Sequence, residues 1–134
     1  MARRLFLTKA QWAEIQKHVE AQAPLEACGL LAGKDDGVEE VIFVRNQAQS
    51  PVRFVMDPYE QLDAFERIES NGLDLLGIFH SHPAGPETAS PTDIAEAGYT
   101  VVHVIVSPAE RGWKARGFWI ESGRASDAPV EILE

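Results

Sequence analysis

Residues 101–106 read Val-Val-His-Val-Ile-Val, and this run constrains the fold more than any other stretch of the chain. A strand that is apolar at consecutive rather than alternate positions must be covered on both faces, so it belongs at the centre of a sheet. Ala27-Cys28-Gly29-Leu30-Leu31-Ala32-Gly33 is a second short apolar run, closed by glycine and by the charged turn from Lys34 to Gly37. It reads as another buried strand.

The remaining pattern supplies elements to cover such strands. Thr8 and Gln11 have capping-box spacing, with Leu7 and Trp12 placed as a hydrophobic staple, and Trp12, Ile15 and Val19 give one apolar face. This predicts a helix over about 9–22, stopped by Pro24. Val38 to Arg45 and Val52 to Met56 have the composition of a second and third strand, separated by Pro51. Asp57-Pro58 opens a second helix, with Glu60 completing a capping box and Tyr59, Leu62, Phe65 and Ile68 as its apolar stripe; Asn71-Gly72 ends it. Leu75 to Phe79 is a fourth strand running into His80-Ser81-His82-Pro83, and Ala84 to Ala89 is a loop. Ser90-Pro91 caps a short helix to about Ala97, Trp113 to Glu121 alternates like a strand, and Val130 to Leu133 forms an edge. That order makes an α/β or α+β layered domain.

With 134 residues, 45% of them apolar, and no linker or repeat, the chain is expected to form one domain, 1–134, around one sizeable core. The formal charge of −9 argues against tracking a nucleic-acid backbone or an anionic lipid surface, while leaving a basic protein partner open. A single cysteine, Cys28, rules out an intrachain disulfide and a multi-cysteine zinc site. The basic start, Met1 to Arg4, is followed only by Leu5-Phe6-Leu7, too short for a signal-peptide core, and no apolar run reaches membrane-spanning length. A cytoplasmic protein is expected.

Three features carry chemistry. Alternate residues of an extended strand face one side, so His80 and His82 present two imidazoles to one point, and neutral imidazole suits zinc. Asp93 stands in the first turn of the Ser90-capped helix, where an acidic side chain can bond back to the cap amide or, folded towards the histidines, supply a third ligand. Glu26 precedes the apolar strand; a carboxylate there is either solvated or a general base for a metal-activated water.

Glu26-x-Cys28-Gly29-Leu30-Leu31-x-Gly33, Gly77-Ile78-Phe79-His80-Ser81-His82-Pro83 and Ser90-Pro91-Thr92-Asp93 together resemble the JAMM (MPN-plus, Mov34-type) metalloprotease family. Its signature is a distant Glu, then His-Ser/Thr-His-Pro, a short spacer and Ser-x-x-Asp. Asn46, Ser50-Pro51 and Met56-Asp57-Pro58 extend the resemblance, which covers roughly residues 5 to 120. The resemblance implies a mixed, curved sheet flanked by helices, similar to the cytidine-deaminase arrangement. It implies one zinc ion per chain held by His80, His82 and Asp93, with Glu26 as general base and the Ser90 hydroxyl donating to the developing oxyanion. For Asp93 to serve as cap and ligand, one carboxylate oxygen would hold the metal while the other accepts the amide. The compact bacterial and archaeal form implies hydrolysis of an amide at the Gly-Gly end of a ubiquitin-like or sulfur-carrier protein. A non-catalytic scaffold of the same fold is the alternative, and a DNA-repair-associated relative is disfavoured by the acidic charge. Oligomeric state is open.

Other reactive side chains have plainer readings. Cys28 and His103 are expected in the core, His18 at the negative end of the first helix, and Trp113 with Trp119 on one sheet face. Glu60, Asp63, Glu66 and Glu69 make a solvated face.

Overall fold

A computed structural model describes residues 3–133; Met1 and Ala2 of the basic start, and Glu134, lie outside them. Strand β1 (Leu5–Thr8) runs straight into α1 (Lys9–Gln22). There Thr8 Oγ1 accepts the Gln11 amide at 3.0 Å and Gln11 Oε1 accepts the Thr8 amide at 2.9 Å. Strands β2 (Cys28–Lys34) and β3 (Gly37–Val44) form a hairpin, followed by α2 (Pro58–Ser70) and β4 (Asp74–Ser81). After the one-turn helix α3 (Pro91–Ala95) come β5 (Val102–Pro108), β6 (Trp113–Glu121), β7 (Arg124–Asp127) and β8 (Val130–Leu133).

These eight strands make one mixed sheet in the order β7-β6-β5-β4-β2-β3-β1-β8, an α+β arrangement with β5, β4 and β2 at its centre. β4 and β5 are parallel, β2 is antiparallel to both β3 and β4, and β1 is parallel to β8. The sheet curls until its two edge strands follow one another directly: β7, paired with β6, is separated from β8, paired with β1, only by Ala128 and Pro129. At that corner the chain passes close over β6: a Cβ on Gly117 would stand 2.2 Å from the Ala128 oxygen and 2.7 Å from Val130 Cγ2 of β8, so the approach requires glycine.

Side-chain alternation divides the core. Leu31, Phe79, Val104 and Val106 face α1, packing with Ile15 and Val19; Trp113 and Trp119 both join this cluster. Cys28, Leu30, Ile42 and Ile78 face α2, packing with Ala64 and Ile68. Ile105, Phe118 and Ile120 carry α3 through Ile94. His80 shares the parity of Ile78, so it emerges on the α2 and α3 side.

Several expectations need correction. Residues 52–56 are not a strand: only an Asn46–Met56 bridge forms, and Val52 is 79% exposed. The Asn46 side chain accepts the Ala48 and Val55 amides, each at 3.0 Å, so amides that would pair in a sheet are satisfied within a loop. In α2 the buried face runs through Ala64 and Ile68 with Phe65 beside them, leaving Tyr59 and Leu62 exposed. Glu60 closes no capping box; its carboxylate accepts the Arg45 amide at 2.9 Å while Asp57 alone caps the helix. His18 stacks on Phe43 at 4.2 Å between ring centroids, and burial lowers its pKa; a neutral ring offers the helix dipole nothing. α3 ends at Ala95 rather than Ala97. β1 and β7 are strands beyond the expected set. No helix among the described residues is long and apolar enough to cross a membrane.

Candidate metal centre

Strand pairing assembles the centre. Cys28 of β2 stands opposite His80 of β4, and one step outward the Ala27 amide donates to the Ser81 hydroxyl at 2.8 Å while the Ser81 amide donates to the Ala27 carbonyl at 3.0 Å. Glu26 is therefore anchored beside His82. Its own backbone is held on both sides, the amide donating to Ser50 O at 2.9 Å and the carbonyl accepting Asn46 Nδ2 at 3.0 Å. His82 is fixed by its amide, which donates to Val106 O of β5 at 2.8 Å. Gly85, at φ +76, turns the chain beyond it, and His82 Nδ1–H donates to Pro86 O at 2.8 Å.

Three ligand-type atoms converge. His80 Nε2 lies 3.1 Å from His82 Nε2, and Asp93 Oδ2 lies 3.2 and 3.0 Å from them respectively. Because His82 Nδ1 carries the proton bonded to Pro86, neutral His82 turns a lone pair towards a carboxylate and a second imidazole. Such a set of acceptors needs a shared cation or extra protons. Ligand atoms of tetrahedral zinc are roughly 3.3 Å apart at the usual zinc–nitrogen and zinc–oxygen distances. The donor set and its spacing fit that ion. A Glu26 carboxylate oxygen lies within 4.8 Å of both imidazole nitrogens, and its Oε1 is buried with no hydrogen-bond partner among the described residues.

Residues 8–120 match the family of prokaryotic homologs of the JAB domain. The chain belongs to that family. The JAB-family chain is 40% identical over 117 residues to a desampylase of Pyrococcus furiosus, covering 86% of this chain and 80% of the relative. It is 41% identical to a probable TtuB-protein conjugate cleaving protease of Thermus thermophilus, covering 75% and 68%. A CysO-cysteine peptidase of Mycobacterium tuberculosis is 32% identical, covering 87% and 83%. Among solved structures, a protein from Desulfitobacterium hafniense superposes with a TM-score of 0.88 at 36% identity, covering 97% and 93%. A JAB1/MPN domain protein from Archaeoglobus fulgidus has a TM-score of 0.60 at 22% identity, covering 97% and 100%, a likeness of fold.

In this JAB-family chain the electrostatics follow from burial. Burial pushes the Glu26 carboxyl up to about 7, with Asp93 adding to the rise and His82 opposing it. Burial lowers the pKa of His80, and its hydrogen bond to Asp93 does not offset that. For His82, burial is outweighed by the bonds that the protonated ring makes to Asp93 and Pro86, so its pKa rises. For Asp93 too, burial is outweighed, by hydrogen bonds from His80 and from protonated His82, and its carboxyl is held well below the usual range.

The structure brings together all five residues singled out in the sequence, though not as expected for the cap. A single oxygen, Asp93 Oδ2, both faces the histidines and accepts the Ser90 amide at 2.9 Å. Two lone pairs on one carboxylate oxygen make this division unnecessary. Ser90 Oγ accepts the Asp93 amide at 3.0 Å, which leaves the hydroxyl proton free to donate elsewhere. Cys28 is in the core, its thiol pushed up to about 12 by burial first and Glu26 second. His103 is a core histidine bonded to Tyr99 O at 3.1 Å.

Sequence reasoning missed the residues that hold the centre. Asn46 stood out only as a flank of the family pattern, although a loop Asn with both amide atoms engaged is a common local organiser. Ser81 lay inside the motif unread, and Phe54, packed on the His80 ring at 4.5 Å, carried no signal.

Proposed function

We propose that this chain is a zinc-dependent peptidase or isopeptidase that hydrolyses an amide bond at the C-terminal end of a ubiquitin-like or sulfur-carrier protein. The observation that carries this reading is the convergence of His80 Nε2, His82 Nε2 and Asp93 Oδ2 within 3.2 Å beside Glu26, whose buried Oε1 has no partner among the described residues. The names of the desampylase, TtuB-conjugate protease and CysO-cysteine peptidase relatives support the substrate class.

In this reading His80, His82 and Asp93 hold the metal, and Glu26 and Ser90 are the catalytic side chains. Zinc bound there supplies Lewis acidity, polarising a carbonyl and acidifying water at its open position. Glu26, buried with a carboxylate oxygen beside both histidines, is placed to take the proton of the attacking water and hand it to the leaving amine. The free Ser90 hydroxyl proton donates to the carbonyl oxygen as it gains charge. The substrate's extended tail enters the groove beside His80 and Asp93, lined by Phe54, Met56, Ile78 and Tyr99, whose two walls are joined by the Arg53–Glu96 ion pair at 3.0 Å. The enzyme acts as a single domain, 1–134, in the cytoplasm.

Cleavage of a fusion joined to the Gly-Gly end of a ubiquitin-like protein tests this. Native protein should release the leaving partner, chelator-treated protein should not, and added zinc should restore release. Unchanged cleavage after complete metal removal would overturn the reading.

A further inference from the structure

His80 and His82 face the same point but are held by different means. The His82 ring is fixed by its Nδ1–H bond to Pro86 O. His80 is 1% exposed, and its Nδ1 meets no hydrogen-bond partner among the described residues. Ligating imidazoles ordinarily have their second nitrogen fixed by a carboxylate, carbonyl or water, because that bond sets the plane of the ring. His80 has instead an aromatic face: the Phe54 ring lies 4.5 Å from it, centroid to centroid, with 24° between the planes.

Phe54 is itself anchored from both sides. Asn46 Nδ2 donates to the Arg53 carbonyl and Asn46 Oδ1 accepts the Val55 amide, each at 3.0 Å. Nδ2 of the same side chain donates to Glu26 O, so the loop carrying Phe54 is tied to the segment carrying the proposed base. A flat ring held in this way restricts rotation of His80 about its Cβ–Cγ bond, the torsion that would carry Nε2 away from Asp93.

We propose that Phe54 is a positioning residue of the metal centre, its ring face setting the plane of the His80 imidazole as the Pro86 carbonyl sets that of His82. This rests on His80 being a metal ligand. Phe54 also packs against the α2-side core and borders the substrate groove, so activity alone cannot separate its roles.

The test uses the whole chain with Phe54→Leu and Phe54→Met, which keep apolar bulk without a flat face, and Phe54→Tyr, which keeps the face. Zinc affinity is measured by competition with a chromophoric chelator, the visible spectrum of the cobalt-substituted protein reports ligand geometry, and metal-free melting temperature reports packing. His80→Ala is the control for ligand loss. Phe54→Leu and Phe54→Met should bind zinc about 10- to 100-fold more weakly, the range seen when a ligand's orienting partner is removed. Their cobalt bands should shift, while Phe54→Tyr retains wild-type affinity and spectrum. Wild-type zinc affinity and an unchanged cobalt spectrum in Phe54→Leu or Phe54→Met, with zinc lost in His80→Ala, would reduce Phe54 to core packing and leave the metal centre standing. Equal zinc binding by wild type and His80→Ala would remove His80 as a ligand, and the proposal with it.

Discussion

At the scale of single residues, the chemistry depends on where charge is buried. Glu26 is 2% exposed, and burial raises its carboxyl from 4.5 to about 7 in the metal-free protein. A folded-state pKa above the unfolded one means that the native state holds a proton which the unfolded chain releases between those values. Stability contributed by this group is therefore present below pH 4.5 and lost as pH rises towards 7. Chelator-treated wild type should lose urea resistance relative to Glu26→Gln as pH rises from 5 to 8, and parallel midpoints would contradict the burial argument. Asp93 is held low in both proteins, so its acid-side contribution cancels in the comparison. Cys28 gives a second prediction: its thiol is buried and pushed up to about 12, so alkylating reagents should react only on unfolding, and Cys28→Ala should keep full turnover. The paired histidines and the buried cysteine were legible in the sequence because alternation along a strand is a local property. Glu26 and Asp93 were not legible from local pattern alone, since each has an adequate reading as a solvated or capping carboxylate. Only the pairing of Ala27 with Ser81, and the packing of Ile94 beneath α3, bring them to the histidines.

At the scale of elements, the loop between β3 and α2 matters as much as the strands. Its sequence suggested a strand because Val52, Phe54 and Val55 suit one, yet Asn46 takes the place of a neighbouring strand by bonding Glu26 O, Arg53 O, Ala48 N and Val55 N. Competition between side-chain and ladder hydrogen bonds cannot be decided from composition. Asn46→Ala should cost about 2–4 kcal/mol of unfolding free energy, from several lost bonds and amides left partly buried without partners. It should also reduce turnover per folded molecule, because the Glu26 carbonyl loses its anchor. A denaturant midpoint equal to wild type would contradict this account of the loop. The helices were easier to read: the Thr8 and Ser90 caps depend on residues three apart and formed as expected. The outward turn of Tyr59 and Leu62 was hidden because four apolar residues share a stripe only broadly, and contact with the sheet selects which of them are covered.

At the scale of the whole molecule, the two consecutively apolar strands fixed the class of fold, since β2 and β5 require cover on both faces. Curvature and closure were invisible without the family resemblance. They depend on the close approach of β8 to β6, where Val130 Cγ2 stands 2.7 Å from the place a Cβ on Gly117 would take, a contact that no local pattern signals. Gly117→Ala should therefore strain the closure and cost roughly 1–3 kcal/mol, as overpacking does, while zinc content remains that of wild type. Calorimetry with metal analysis checks both halves; a melting temperature equal to wild type would mean that the two ends of the sheet separate freely. β7 escaped reading for a similar reason: all four of its residues are exposed, and it is a strand only because β6 offers its edge.

The central claim, that three side chains hold zinc while a fourth moves the proton, is tested most directly by one paired measurement. Metal content and cleavage of a Gly-Gly-linked ubiquitin-like fusion are determined on wild type, Glu26→Gln and His82→Ala. Glu26→Gln should keep one zinc per chain and lose turnover by a factor of about 100 or more, the scale of general acid–base catalysis. His82→Ala should lose the zinc as well. Wild-type turnover in Glu26→Gln, or stoichiometric zinc in His82→Ala, would contradict the account.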